Sequence, residues 1–149
     1  MGIKLKTSNK EIALHLEQSQ KQMIDQIIMN FEYGGEACIK EARDNGSYHD
    51  QTGNLRSSIG YVVVDDGRIV STGLNTDVKA EDGRKRAENY LKELASKSES
   101  GKISLIVCAG MNYAAHVEAN GYNVLTSAEL LAEQLVPSMM KQLGFTVDR

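Results

Sequence analysis

Ser8-Asn9-Lys10-Glu11 has the Ser-x-x-Glu form in which a serine oxygen and a glutamate each satisfy an orphan amide at a helix start. Behind it apolar residues recur at Ile12, Leu16, Met23, Ile27, Phe31, Cys38 and Ala42, until Asn45-Gly46 supplies a stop. The stripe predicts about 36 helical residues, roughly 54 Å at about 1.5 Å per residue, longer than a compact domain of this size is wide. Such a helix either breaks or projects. Gly34-Gly35 is the expected place for a kink, because each interior glycine costs about 1 kcal/mol relative to alanine. If the helix is continuous instead, its amino-terminal half overhangs the domain and its stripe needs another subunit to cover it.

Downstream, Thr52 is placed to cap a short turn in which Leu55 and Ile59 share one side while Arg56 and Ser57 point to solvent or a neighbour. Gly60 ends that turn. Tyr61 to Val64 reads as a strand, and Asp66-Gly67 before Arg68-Ile69-Val70-Ser71 is a two-residue hairpin signal. Pairing across that turn sets Val64 opposite Ile69 and Val63 opposite Val70, with apolar side chains on both faces of the ribbon. The long helix can cover one face; the other requires the carboxy-terminal helix, another sheet or a partner chain.

Residues 78–101 read as a charged helical insertion whose modest apolar side is Ala87, Leu91, Leu94 and Ala95. Lys102 to Ala109 is the next strand, and Asn112 is placed to cap a short helix from Tyr113 to Asn120. Thr126-Ser127-Ala128-Glu129 has the form of a second capping box, opening a helix through Leu131, Leu135, Met139 and Leu143 that closes at Gly144 and should bend at Pro137. The order predicts one α+β domain over 1–149: a small, mostly antiparallel sheet with a β-hairpin, packed by a long N-terminal helix and a C-terminal helix.

Composition narrows the function classes. With 149 residues, 41% of them apolar and 25% charged, the chain is large enough to bury a core without metal or disulfide staples. Its two cysteines, Cys38 and Cys108, have no disulfide or metal spacing, which points to a reducing cytoplasm. No apolar run is long enough to cross a bilayer, and the first residues lack the hydrophobic stretch of a secretory signal, so neither membrane nor export is expected. A net charge of −3 and the lack of Trp leave nucleic acid only a local patch to bind.

Candidate chemistry is sparse. A Ser57 or Ser58 nucleophile with a His49 base can be drawn, yet no glycine-flanked elbow surrounds either serine, and a turn explains the same residues. Cys108 and His116 form a second conceivable pair, but a thiol inside an apolar strand is usually inert packing. His116 and Glu118 stand two apart on a helix and face different ways, so they make no metal pair. No phosphate-cradling glycine pattern occurs. The expectation is therefore no catalytic centre, cofactor, metal or small-molecule substrate. The basic run Arg84, Lys85, Arg86 and Lys92 could serve a nucleic-acid or adaptor-binding module, or be a solvated face laced with glutamates.

Two segments carry more specific information. "QTGNLRSSIGYVV" (51–64) and "LIVCAGMNYAAHVE" (105–118) resemble the paired signatures of the minor tail or tail-completion proteins of tailed phages, typified by gene product ten of a lambda-like coliphage. Thr52, Gly53, Leu55, Arg56, Ser58 and Ile59 match the first signature; Tyr113, Ala114, Val117 and Glu118 match the second. Where that family follows its glutamate with an aromatic residue, Gly and Thr, this chain has Ala119-Asn120-Gly121-Tyr122. The resemblance implies a structural role: a ring of identical subunits at the head–tail junction, among neighbouring neck and tail proteins, with DNA passing through its lumen. It also implies residence in the bacterial cytoplasm during assembly and in the virion afterwards. On this reading Leu55, Ile59 and Tyr113 organise the domain, and Arg56 and Glu118 are candidates for polar contacts.

Overall fold

The computed structural model describes residues 2–4, 6–75 and 80–147. Its elements are α1 (Asn9–Asp44), α2 (Asn54–Ser57), β1 (Ile59–Asp65), β2 (Arg68–Gly73), α3 (Glu81–Ser96), β3 (Ile103–Ala109), α4 (Ala114–Ala119) and α5 (Thr126–Gln142). The three strands form one antiparallel sheet in the order β2-β1-β3, giving the α+β architecture expected from the sequence.

Valine-rich β1 is the central strand and is buried along all of its length but Asp65. Its side chains alternate, as strand geometry requires, between two apolar layers. Ile59, Tyr61 and Val63 join Cys38, Ile39 and Ala42 of α1 and Ala128 of α5. Val62 and Val64 join Leu91 and Ala95 of α3, together with Cys108. Full burial of Ile59, Val62, Val63 and Val64 contributes about 1.5–3 kcal/mol apiece, so β1 is the main source of the fold's stability.

That layering revises the expectation for the second face. α1 and α5 lie on the same side of the sheet, and α3 covers the other. What reads in sequence as an insertion is therefore a structural layer. Its small side chains let it approach the sheet closely: an added Cβ at Gly110, just past β3, would lie 2.6 Å from the backbone nitrogen of Ala87. Residues 78 and 79, at the start of the expected insertion, lie outside the described residues.

α1 runs unbroken through Gly34-Gly35. The pair serves close approach: an added Cβ would stand 3.2 Å from Met139 Cε at Gly34 and 2.5 Å from the Tyr61 ring at Gly35. The helix begins as expected, with Ser8 Oγ accepting from the Glu11 amide at 3.2 Å and Glu11 Oε2 accepting from the Ser8 amide at 3.1 Å. Its buried residues begin only at Gly34. Of the upstream stripe, Leu16 is 63% and Met23 37% exposed, while Ile12, Ile27 and Phe31 are half-buried. Continuity thus produces the overhang that a kink would have avoided.

Three local expectations are corrected. Val63 pairs with Ser71, because a bulge at Val70 adds one residue to β2; Val64 still faces Ile69. α4 begins at Ala114 after Tyr113, with no side-chain cap from Asn112. α5 likewise has no cap from its own Thr126-to-Glu129 sequence. Its far end closes as expected: Gly144 (φ 93°) gives its amide to Lys141 O and Phe145 gives its amide to Met140 O, the Schellman arrangement.

Tyr61 links the layers. Its hydroxyl donates to Glu36 Oε1 at 3.1 Å, and burial first, then that bond, raises the phenol from 10.0 to about 12. A raised folded-state value stabilises the fold fully below the ordinary tyrosine range, and this contribution is lost as pH climbs through the folded value. Spectrophotometric titration should therefore show one tyrosine ionising near pH 12, and Tyr61→Phe should remove that step. Persistence of the step in the variant would assign it elsewhere.

Candidate functional site

Segments 51–64 and 105–118 meet in one place. Gly53, in the left-handed conformation at φ 77°, turns the chain into α2, where Thr52 Oγ1 accepts from the Asn54 amide at 3.4 Å and Asp50 Oδ2 from the Arg56 amide at 3.1 Å. Leu55 is thereby directed inward, 3% exposed, against Tyr48, Met111, Ala114 and Val124, with Val117 packed alongside. Ser58 completes the join. Its hydroxyl donates to Leu55 O at 2.7 Å and accepts from the Met111 amide at 3.3 Å, while its carbonyl accepts from the Gly110 amide at 2.9 Å.

Ser57 is also buried, contrary to the outward orientation expected of it. The four-residue α2 rotates it under Asn75, whose amide donates to Ser57 Oγ at 3.2 Å. The recorded partners of both serines are backbone groups and an amide, and His49 is exposed. Ile59 enters the core with α1. Arg56 stays exposed, its guanidinium carbon 5.9 Å from the centre of the Tyr48 ring, within cation–π range. Tyr113, expected to organise the domain, is 39% exposed, and its neighbour Ala114 takes the buried place.

Glu118 has the most definite role. A single oxygen, Oε1, accepts from the Leu125 amide at 3.0 Å, the Thr126 amide at 2.8 Å and Thr126 Oγ1 at 2.6 Å. It caps α5 from the neighbouring helix. Asn123 Oδ1 adds a bond from the Ser127 amide at 3.0 Å. Burial pushes the Glu118 carboxyl up, but these hydrogen bonds outweigh it and hold the group below its ordinary range. The carboxylate, a candidate for polar contacts, thus makes them within the chain. No local spacing could reveal this, because the cap is supplied from seven and eight residues upstream.

The basic residues of α3 are likewise engaged on their own helix. Arg84 and Lys85 pair with Glu81 at 3.8 and 3.1 Å, Arg86 with Asp82 at 3.2 Å and Lys92 with Glu88 at 2.7 Å. Such exposed pairs add little to stability, yet they offset the positive field a phosphate backbone would require.

Cys108 is 3% exposed and burial raises its thiol to about 12; Cys38, 1% exposed, is raised for the same reason. At pH 8 iodoacetamide should label neither until the protein is unfolded, since the thiolate is the nucleophile. Rapid labelling of Cys108 in the native state would contradict this packing. Among the described residues no group of three or more His, Cys, Asp or Glu is placed to hold a metal ion, and no helix is long and apolar enough to cross a membrane.

Two surface features remain. One is the uncovered stripe of α1. The other is an apolar slot of about 550 Å³ between α1, β3 and α5, lined by residues including Phe31, Leu105, Val107, Leu125 and Val136. Comparison with known proteins adds no relative: no family model, no curated protein and no solved structure matches the chain.

Proposed function

We propose that the chain is a structural protein of the head–tail junction of a tailed phage or prophage, a tail-completion or minor tail component that acts by assembling into a ring of identical copies. The observation that carries this reading is the continuous α1, whose apolar stripe, exposed at Leu16 and Met23, runs beyond the part the domain buries. A stripe of this kind is a liability on a free monomer and an asset in an assembly. A contact between unlike faces of identical copies closes into a ring when the rotation permits.

The convergence of the two phage-like segments supports the same reading. Leu55, Ser58, Ala114 and Glu118 are all spent on joining α2, β3, α4 and α5. The serines and thiols that could have suggested a hydrolase are occupied or buried. A nucleic-acid module built on α3 is less well supported, since Arg84, Lys85, Arg86 and Lys92 have carboxylate partners one helical turn away. Replacing Arg84, Lys85 and Arg86 by Ala should leave DNA mobility shifts unchanged at every salt concentration. Deleting the gene from the parent phage should yield finished capsids and finished tails that stay unjoined. Normal virions from that deletion would refute the role.

A further inference from the structure

The two edges of the sheet differ. β2 carries Arg68, is bulged at Val70 and has α1 beside it, and charge, bulge and cover are the devices that keep an edge strand from pairing with another chain. β3, Ile103-Ser104-Leu105-Ile106-Val107-Cys108-Ala109, has no charge, proline or bulge, and among the described residues it pairs with β1 alone. Among those residues its other edge has no strand partner. Beside it lies the 550 Å³ slot, on the face of β3 that presents Ile103, Leu105 and Val107.

The chain carries a segment suited to that edge. Ile3-Lys4-Leu5-Lys6 alternates apolar and basic residues with the period of a strand. Ile3 is fully exposed, and residues 2–4 have no sheet partner; Leu5 lies outside the described residues. The segment cannot reach its own slot. Leu105 stands at Gly34, its Cδ2 3.7 Å from where a Cβ there would be, and α1 rises about 38 Å between Asn9 and Gly34 at about 1.5 Å per residue. The link from Ile3 to Asn9 spans at most about 21 Å even when fully extended. Only the β3 edge of another copy is within range.

We propose that residues 3–6 of one copy add as a strand to the free edge of β3 in a neighbouring copy, with Ile3 and Leu5 entering the slot and Lys4 and Lys6 on the opposite face of the sheet. Backbone hydrogen bonds supply the affinity in this mode, and the two apolar side chains supply the register. Arm and edge are different surfaces, so the contact is heterologous and propagates from copy to copy. The inference rests on the reading of the chain as a self-assembling subunit.

A synthetic peptide of residues 1–8, titrated into ¹⁵N-labelled full chain bearing Ile3→Asp and Leu5→Asp, tests it. The amide signals of 103–107 should shift, and a peptide with the same two replacements should bind at least tenfold more weakly. Unmoved 103–107 signals at millimolar peptide, or equal binding by the two peptides, would overturn the proposal. Either result leaves the head–tail role to the phage deletion, and normal virions from the deletion would leave a measured peptide site standing.

Discussion

Gly110→Ala should cost about 3 kcal/mol of stability and roughly 10 °C in Tm, the upper range for overpacking a rigid site in a domain of this size. The added methyl would meet Ala87 N at 2.6 Å, Ala87 Cα at 2.7 Å and Arg86 C at 2.8 Å, all of them backbone. A side chain could turn away; a helix backbone cannot. The strain would therefore lift α3 from the sheet and expose Val62, Val64 and Cys108, which it covers. Chemical denaturation of the variant measures the loss. A change within 0.5 kcal/mol would mean that α3 is a loosely attached insertion, as its charged sequence suggests.

Glu118→Ala should cost about 2 kcal/mol, the upper range for removing a helix cap, because three donors at the start of α5 lose one charged acceptor together. Glu118→Gln keeps an acceptor without the charge and should cost about half as much, since hydrogen bonds to charged groups are the stronger kind. The pH dependence has a definite sign. A carboxyl held below its ordinary range stabilises the fold above that range, and the contribution is lost as pH falls through the lowered value. The gap between wild type and Glu118→Gln should thus be widest near neutrality and close in acid. A gap that widens in acid would show that the carboxylate is not the cap.

Elements whose cause is local could be read from sequence alone. Ser8 and Glu11 cap α1 within one turn, Asp66-Gly67 makes the hairpin, and the apolar run of β3 declares itself. Misreadings arise where the cause is remote. Gly34-Gly35 reads as a break, since nothing nearby announces the Tyr61 ring that needs the space. α3 reads as an insertion, since Ala87, Leu91 and Ala95 are few and its charged pairs dominate the sequence. The cap that Glu118 supplies is unannounced, since the amides it holds belong to another helix. The open edge of β3 is a property of topology, invisible until the strand order is known.

The central claim is that this chain joins heads to tails through its surfaces and performs no reaction. Purified protein added to a lysate of unjoined heads and tails, from phage lacking the gene, tests it most directly through the titre of infectious particles. Wild type and His49→Ala should restore infectivity alike, whereas Leu16→Glu with Met23→Glu, on the exposed stripe of α1, should fold normally and restore less than a hundredth as much. Full restoration by the stripe variant, or its loss with His49→Ala alone, would contradict the claim.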